Sequence, residues 1–395
     1  MTNPTRTQAA IIGAGPAGLT LAHLLRRAGI DSVVLEARSR EYVEARVRAG
    51  VLEQGTVELF RELGLAGRLD REGLEHRGVE LRFGGAGRRI AFDELAGRSI
   101  WVYGQQEVVK DLIAARIDGG DPLLFEAEAA AVEGADTTSP MVRYRHEGEE
   151  QTLACDFVAG CDGFHGVSRQ AVPKRRLREY IHDYPFGWVG ILAAVAPSTE
   201  ELIYASHERG FALHSLRSPE LSRLYVQCEP DDVIENWPDR RIWDELHARF
   251  EAPGWSLREG PVIEKGITPM RSYVAEPMQY GRLFLAGDAA HIVPPTGAKG
   301  LNLAVADVRV LARGIVRHYA EQRDDVLDGY TQTCLSRVWK VMHFSWWMTS
   351  MLHIFPNDPD GTQRRLQLAQ LDYVTSSRAA SASLAEQYTG LPFDS

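Results

Sequence analysis

Long apolar runs are absent from this sequence of 395 residues. The longest apolar stretch, Trp188 to Ala196, is far shorter than the roughly 20 residues that a membrane-spanning helix needs. The polar N-terminal segment, Met1 to Gln8, lacks the apolar block and small-residue cleavage site of a signal peptide. Apolar residues make up 44% and charged residues 25% of the chain, as in ordinary water-soluble proteins. We therefore expect a cytoplasmic protein without a membrane segment.

Cysteine is scarce, and acidic residues outnumber basic ones. The four cysteines show no C-x-x-C spacing and the chain contains no H-E-x-x-H motif, so we expect neither a disulfide framework nor a metal site. With 44 Lys and Arg residues against 54 Asp and Glu residues, the formal net charge is −10, which argues against a nucleic-acid partner. An anionic ligand must therefore be recognised by a local cation.

The N-terminal region carries a dinucleotide-binding pattern. An apolar run, Gln8 to Ile12, reads as a buried strand and leads into a G-x-G-x-x-G motif formed by Gly13, Gly15 and Gly18. The first glycine permits a tight turn, the second lets a pyrophosphate approach the backbone, and the third lets helix and strand pack closely. A second strand-like run ends on Glu36, whose carboxylate can accept hydrogen bonds from a ribose. The pattern predicts one dinucleotide site.

A second fingerprint of this kind is absent. The segment Gly84 to Gly87 is glycine-rich, but another strand-like run follows it instead of a helix, so it is predicted to be a hairpin turn. A second nucleotide must therefore bind without a Rossmann domain of its own.

Two acidic motifs follow strands later in the chain. Asp162 comes after a strand-like run, Asp156 to Gly160, and Asp288 comes after another, Arg282 to Ala286. Carboxylates at such strand ends can reach ribityl or ribose hydroxyls. The glycine-rich run from residue 294 to 302 precedes a helical pattern, and its N–H groups can face a ring that becomes negative on reduction.

The order and spacing of these motifs resemble the flavoprotein aromatic hydroxylases, and several segments are similar to the 4-hydroxybenzoate hydroxylases within that family. The resemblance extends from about Ala9 to Pro392 and includes residues 46–55, 103–105, 161–165, 291–302 and 344–350. It implies an FAD-dependent monooxygenase that uses NADH or NADPH and O₂ to convert 4-hydroxybenzoate into 3,4-dihydroxybenzoate. The resemblance also implies a homodimer.

The resemblance assigns the flavin site beyond the glycine motif and its three acids. The matched positions around the flavin and its path of movement are Arg46, Arg48, Gln105, Arg223, Lys299, Gly300, Leu301 and Asn302.

Similarity to the family also places the substrate. Arg217 becomes a bidentate clamp for the substrate carboxylate, and Ser215 and Tyr225 add hydroxyl donors. At the phenol end, Tyr204 contacts the substrate hydroxyl, and Tyr388 lies behind it.

The remaining active-site assignments concern proton transfer and the reacting ring. By resemblance, His76 connects the tyrosine pair to solvent as a proton relay, while Pro295 and Thr296 flank the reacting ring. A phenolate is a better nucleophile than a phenol, so such a relay couples substrate recognition to reactivity.

The nicotinamide coenzyme is assigned by resemblance as well. His165 and Arg271 are candidates for its phosphates, and Arg38 and Tyr42 lie in the helix expected to follow Glu36. A member of the family carries arginine where this chain has Ala37. Arg38 and Arg40 can substitute for that cation, but Glu36 with Ala37 is also compatible with a free ribose hydroxyl, and the prediction leans towards NADH.

The expected fold is α/β (α+β), with a Rossmann-like FAD-binding domain interleaved with a sheet-based substrate domain and followed by a helical C-terminal tail. The boundaries are 1–75, 100–182 and 270–345 for the FAD-binding domain, 76–99 and 183–269 for the substrate domain, and 346–395 for the tail.

Three alternatives stay open. A hydroxylase of another benzoate keeps every flavin motif, a flavin oxidoreductase without oxygen transfer turns over independently of O₂, and a lipid-carrier protein of the same fold is colourless when purified. The matched substrate residues favour a 4-hydroxybenzoate hydroxylase over these three alternatives.

Overall fold

The computed structural model describes residues 4–46 and 50–393. Its helices are α1 (Pro16–Arg27), α2 (Arg40–Ala45), α3 (Gln54–Glu62), α4 (Leu69–Glu72), α5 (Phe92–Ala96), α6 (Gln105–Asp118), α7 (Asp239–Phe250), α8 (Gly300–Glu321), α9 (Asp325–Asp328), α10 (Tyr330–Leu352), α11 (Thr362–Ser376) and α12 (Arg378–Thr389). Its strands are β1 (Ala9–Ile12), β2 (Ser32–Leu35), β3 (Val51–Glu53), β4 (Leu74–His76), β5 (Gly78–Phe83), β6 (Ala86–Ala91), β7 (Ile100–Val102), β8 (Leu123–Leu124), β9 (Glu128–Glu133), β10 (Met141–His146), β11 (Glu149–Ala154), β12 (Phe157–Gly160), β13 (Arg178–Ala193), β14 (Leu202–His207), β15 (Gly210–Ser218), β16 (Leu221–Cys228), β17 (Val262–Glu276), β18 (Gln279–Tyr280), β19 (Leu283–Leu285) and β20 (His291–Ile292).

A six-stranded sheet in the order β18-β19-β12-β1-β2-β8 carries the dinucleotide motif. β1 pairs in parallel with β2 and β12, and every residue of these three strands is buried, as expected for a parallel sheet covered by helices. The turn from β1 into α1 is tight, because Gly13 has a φ of +104° and a Cβ on Gly18 would lie 2.1 Å from the Gly13 carbonyl oxygen. The strand, glycine turn and helix predicted here are confirmed.

An eight-stranded sheet in the order β20-β17-β13-β16-β15-β14-β5-β6 forms the second layer. Its β5–β6 hairpin turns through Gly84 and Gly85, both at positive φ, so the predicted hairpin is confirmed. One face of the sheet packs on α7 around buried residues such as Trp243. The other face packs on α10, α11 and α12 and carries the candidate substrate residues.

Several elements cross the domain boundaries that were predicted from the sequence. β13 and β17 pair along most of their length and extend from the larger sheet towards the flavin half, and α10 begins at Tyr330 and continues without a break to Leu352. The helix expected directly after Glu36 begins only at Arg40, because the hydroxyl of Ser39 caps it by accepting a hydrogen bond from the Tyr42 N–H. Over residues 4–46 and 50–393, no helix combines the length and apolar character needed to cross a membrane.

Candidate active site

The glycine loop and Glu36 form a compact turn at the start of α1. The Glu36 carboxylate accepts hydrogen bonds from the Ala14 N–H at 2.8 Å and from the Arg38 N–H at 2.9 Å. A Cβ on Gly15 would have no protein atom within 4 Å, unlike one on Gly18. The backbone at Gly15 is therefore open to a phosphate at the N-terminus of α1, which is the geometry that FAD requires.

Asp162 has one carboxylate oxygen held by protein and one available for a ligand. Its Oδ2 accepts hydrogen bonds from the N–H and the hydroxyl of Ser168, both at 2.9 Å. Its Oδ1 is buried and has no hydrogen-bond partner within the described residues. Burial raises the pKa of this carboxyl, and the Ser168 bonds oppose the rise. An unsatisfied buried acceptor of this kind fits a sugar hydroxyl.

The Gly287-Asp288 turn places the second acid at the surface. Asp288 is exposed, whereas the turn beneath it is fixed from inside by Asp307. The Asp307 Oδ2 accepts a hydrogen bond from the Gly287 N–H at 3.0 Å and lies 2.6 Å from Nε2 of the buried His291. The turn therefore presents Asp288 from a rigid support.

Side chains at the start of α8 form hydrogen bonds with β3. Lys299 Nζ lies 2.6 Å from Glu53 Oε1 and donates to the Tyr388 carbonyl at 2.8 Å. Asn302 donates from Nδ2 to the Val51 carbonyl and accepts at Oδ1 from the Glu53 N–H. Burial lowers the pKa of Lys299, and the Glu53 charge opposes that change. Both side chains thus tie the start of α8 to β3.

The first residues of α8 also fit a flavin. Gly300 and Leu301 are the first two residues of the helix, so their N–H groups have no acceptor within it. A Cβ on Gly300 would have no other atom within 4 Å, which leaves the backbone open to a planar ring. Gln105 likewise begins α6 and is half-buried.

The two tyrosines assigned to the phenol end lie together. The Tyr204 and Tyr388 hydroxyl oxygens are 2.5 Å apart, although 184 residues separate them in the sequence. Both side chains are buried, and burial raises both pKa values. The Phe92 ring stacks on Tyr388 with centroids 5.1 Å apart.

His76 does not extend that hydrogen-bonded pair. Its side chain is buried at the end of β4, and neither ring nitrogen has a hydrogen-bond partner among the described residues. Burial lowers the pKa of His76 to about 4, although Glu201 opposes the shift, so the ring is neutral near pH 7. The expectation of a direct connection from the tyrosines through His76 is not met by this conformation.

The residues assigned to the carboxylate end share one face of the large sheet. Cross-strand pairing sets Tyr204 opposite Leu213 and Leu213 opposite Tyr225, and Ser215 follows two residues along on the same face. Arg217 lies two residues beyond Ser215 and is half-buried. Burial lowers the pKa of Arg217, while its interaction with the Tyr225 hydroxyl opposes that change.

Arg223 lies on the same face, opposite Ser215 and two residues from Tyr225 on β16. Its Nε donates to the Tyr225 hydroxyl at 3.3 Å, and its Nη1 lies 3.1 Å from Glu264 Oε1. Pro295 and Thr296 lie in a single turn that contacts α10, where the Thr296 hydroxyl oxygen lies 2.8 Å from that of Thr349.

The residues assigned to the nicotinamide coenzyme form two pairs. His165 and Arg271 are both exposed and both lie against Phe164, with a ring-centroid distance of 5.0 Å for His165 and a guanidinium-to-centroid distance of 5.8 Å for Arg271. Arg38 lies over the Tyr42 ring at 5.4 Å on a separate segment.

Two further arginines, Arg46 and Arg48, are assigned to the flavin by resemblance. Arg46 is exposed at the end of α2. Arg48 lies outside the described residues, so its predicted contact with the flavin stays a prediction.

Sequence reasoning did not single out several residues that build the site. Glu53 and Thr349 lie inside segments that carry the family resemblance, so the segments indicated them without a role. Trp188 and His353 carry no local pattern, and only the fold brings them together behind the substrate face.

Similarity to known proteins extends over the whole chain. The family described as FAD binding domain matches residues 6–345. The p-hydroxybenzoate hydroxylase of Acinetobacter baylyi is 45% identical over 391 residues, which cover 98% of this chain and 96% of that protein. A 3-amino-4-hydroxybenzoate 2-monooxygenase of Streptomyces platensis is 27% identical, covering 92% of this chain and 91% of its own.

Solved structures share the fold. The crystal structure of p-nitrophenol 4-monooxygenase from Pseudomonas putida superposes with a TM-score of 0.83 at 20% identity, over 99% of this chain and 100% of that one. A ternary complex of aklavinone-11 hydroxylase with FAD and aklavinone superposes with a TM-score of 0.74 at 22% identity, over 91% of this chain and 71% of that one. At these identities the likeness is one of architecture.

Proposed function

The chain belongs to the family of FAD-binding aromatic hydroxylases, and from that premise we propose that it hydroxylates 4-hydroxybenzoate. The product is 3,4-dihydroxybenzoate, NADH or NADPH is the reductant, and O₂ supplies the added oxygen. FAD, when bound, supplies hydride acceptance and oxygen activation. Gly15, Asp162 and the first turn of α8 would hold it, on the fit described above.

The observation that carries this proposal is the placement of two kinds of polar group on one sheet face. A hydroxyl pair, Tyr204 and Tyr388, lies beside a group that can bind an anion, Ser215, Arg217 and Tyr225. Arg217 is four residues along β15 from Leu213, the cross-strand partner of Tyr204, a separation of about 13 Å that the two long side chains and a para-substituted ring can span together. A benzoate with a para hydroxyl therefore can place its carboxylate at Arg217 and its phenol at Tyr204.

The tyrosine pair can remove the phenolic proton. The substrate phenol donates its proton to the Tyr204 hydroxyl, Tyr204 passes its own proton to Tyr388, and Tyr388 releases its own proton to the next acceptor in the same event, so neither tyrosine stores charge. The raised pKa values of both residues are consistent with this, because each stays protonated before and after the transfer. His76, neutral and buried, is proposed as the next acceptor, and a movement or a bridging molecule must complete that step. The phenolate formed is the activated nucleophile.

The local charge near Ala37 supports NADH as the preferred coenzyme. Ala37 lines a surface cleft of about 370 Å³ together with Glu126, Glu128, Glu147 and Arg145. Three carboxylates in one cleft disfavour a 2′-phosphate more than a free hydroxyl. A ratio of kcat/KM that favours NADPH would contradict this part of the proposal.

We also propose that the protein is a cytoplasmic homodimer. The aromatic side chains of Trp339 and Trp346 are 41% and 47% exposed on α10, which suits a surface covered by a second subunit. Light scattering coupled to gel filtration measures the subunit number, and a monomer at micromolar concentration would contradict the dimer.

Two related activities are the competing proposals. A hydroxylase of another hydroxybenzoate would use the same flavin residues and the same cation at Arg217. A flavin oxidoreductase without oxygen transfer would consume NAD(P)H and form no hydroxylated product.

The deciding experiment measures NADH and NADPH oxidation in air with and without 4-hydroxybenzoate, together with 3,4-dihydroxybenzoate formation. We expect strong stimulation and matching product. Arg217→Ala should raise the Kd for 4-hydroxybenzoate by 100-fold or more while FAD stays bound, because a charge-assisted pair is lost. Arg240→Ala, at an arginine whose side chain is 91% exposed, is the matched control. Stimulation only by another benzoate, or none, would reject the substrate assignment.

A further inference from the structure

The segment that follows Tyr388 is held by cations from three other parts of the chain. Lys299 Nζ donates to the Tyr388 carbonyl at 2.8 Å, and Arg98 Nη1 donates to the Gly390 carbonyl at 2.5 Å. The guanidinium of Arg337 donates from Nη1 to the Leu391 carbonyl at 3.1 Å and from Nη2 to the next carbonyl along the chain.

These carbonyls lie at or beyond the C-terminal end of α12, where the helix itself supplies no hydrogen-bond donor. Tyr388 lies one residue before the end of α12, so its carbonyl and those that follow have no N–H donor within the helix. A charged donor supplies a stronger hydrogen bond than a neutral one and suits the negative end of the helix dipole. Replacing either arginine by an apolar residue therefore removes the partner of one or two backbone acceptors.

The segment also fits closely against the end of β3 and the start of α3. Gly390 has a φ of +101°, and a Cβ there would lie 2.2 Å from Glu53 Oε2, the carboxylate that also binds Lys299. The Phe393 ring lies against Gly55, where a Cβ would be 2.9 Å from the ring. The segment therefore has little freedom to shift while these contacts last.

The arginines connect to Tyr388 by two routes. Arg98 follows α5, and α5 begins with Phe92, the ring that stacks on Tyr388. Arg337 lies on α10, the helix that also packs the aromatic ring of Phe344 against Tyr388 with centroids 6.1 Å apart. Each arginine thus ties the chain after Tyr388 to the element that packs the tyrosine ring.

We propose that Arg98 and Arg337 are positioning residues that clamp the segment from Tyr388 to Pro392, and that this clamp keeps the Tyr388 hydroxyl at hydrogen-bond distance from Tyr204. The inference rests on the proposed hydroxylation of 4-hydroxybenzoate. Without the clamp, Tyr388 withdraws, Tyr204 loses its proton acceptor, and the bound phenol ionises less readily. Neither arginine touches the substrate.

The test uses the holoenzyme and the variants Arg98→Met and Arg337→Met, which keep a long side chain but remove the donors. Arg337→Lys restores a charge that can reach one carbonyl at a time, and Arg378→Met, at an exposed arginine on α12, is the control. FAD content and melting temperature establish that each variant folds.

Two measurements decide the outcome. Hydrogen exchange reports the protection of residues 378–393, and ultraviolet difference spectra across pH report the apparent pKa of bound 4-hydroxybenzoate. We expect faster exchange, a rise of about one unit in that apparent pKa and a tenfold lower kcat in both Met variants, with the KM for NADH unchanged and partial recovery in Arg337→Lys.

Wild-type exchange in the Met variants, or faster exchange with an unchanged phenol pKa and kcat, would overturn the clamp. No spectral response to 4-hydroxybenzoate in the wild type would instead reject the proposed function, so the two failures are distinguishable.

Discussion

The indole Nε1 of Trp188 donates a hydrogen bond of 2.7 Å to Nε2 of His353, and the two rings are nearly parallel. Because Nε2 is the acceptor, Nδ1 carries the hydrogen and donates to the Thr349 carbonyl at 2.9 Å. The Trp188 ring packs on Tyr225, and the Thr349 hydroxyl oxygen lies 2.8 Å from that of Thr296. His353, itself fully buried, thus links the packing around Tyr225 on the large sheet to the turn at Thr296.

Replacing His353 by leucine should weaken substrate binding and lower stability. The change leaves the buried Trp188 N–H without an acceptor, which costs about 1–3 kcal/mol, and removes the stacking of His353 on Phe186 and Phe211. We expect a lower free energy of unfolding and a higher Kd for 4-hydroxybenzoate, measured by urea denaturation and flavin difference spectra. His343→Leu, at an exposed histidine of α10, the helix that His353 follows, is the control. Equal effects in the two variants would contradict the supporting role.

Local spacing in the sequence predicted the parts of the fold that are built from neighbouring residues. The turn at Gly13 and the hairpin at Gly84 follow from the backbone freedom of glycine and from the pattern of the residues around them. Such features depend on a few consecutive residues, and their physics is visible in a short window.

Contacts between distant segments could not be read from spacing. The bond between Tyr204 and Tyr388 joins a strand to the last helix, and only the family resemblance indicated it. Arg337 and His353 belong to helical patterns in which an arginine or a histidine looks ordinary, so their partners appear only once the fold is known. The resemblance also implied a relay to solvent through His76, yet neither of its ring nitrogens has a hydrogen-bond partner among the described residues.

Adding a methyl group at Gly190 should disturb the substrate face. A Cβ there would lie 2.9 Å from Cε1 of the Tyr225 ring, so the ring must move. Gly190→Ala is expected to raise the Kd for 4-hydroxybenzoate about tenfold, or about 1.4 kcal/mol, with FAD retained. Gly266 pairs with Gly190 across the strands, and a Cβ there meets no atom within 4 Å. Gly266→Ala should therefore bind normally, and equal affinity in the two variants would disprove the steric argument.

A methyl group at Gly15 should act on FAD and not on the fold. Its Cβ has no protein atom within 4 Å, so the apoprotein can accept it, but it occupies the path by which a pyrophosphate approaches the backbone. We expect Gly15→Ala to lower FAD affinity at least tenfold, measured by flavin fluorescence on titration of the apoprotein, with an unchanged apoprotein melting temperature. Gly67→Ala, where the nearest atom would be 3.8 Å away, is the control. Normal FAD affinity in Gly15→Ala would refute the predicted phosphate site.

Acid should destabilise the protein before its carboxylates titrate. Burial lowers the pKa of His76 and His214 to about 4 and that of His353 to about 3, against 6.5 for an exposed histidine. Between pH 6.5 and 4 the unfolded chain binds protons at these sites and the folded chain does not. Stability from these groups is complete above pH 6.5 and falls as the pH decreases, with a slope of about 1.4 kcal/mol per pH unit for each.

One buried histidine opposes this trend. Burial lowers the pKa of His291. The charge and hydrogen bond of Asp307, together with the charge of Asp288, raise that pKa by more, so the net shift is upward. The stability from His291 is present below pH 6.5 and is lost as the pH rises through its folded value. Burial also lowers the pKa of His23 and His207, so five histidines of the described residues favour higher pH and one favours lower pH, and the net free energy of unfolding should fall on acidification.

Urea denaturation at several pH values between 7.5 and 5 measures this slope, and one substitution isolates a single group. His214→Gln removes a buried titrating ring that lies on the sheet face away from the proposed substrate site. The variant should lose stability at pH 7.5 yet show, below pH 6.5, a slope smaller than that of the wild type by up to about 1.4 kcal/mol per pH unit. A slope equal to that of the wild type would mean that His214 is protonated in the folded protein, and burial would then not keep this histidine neutral.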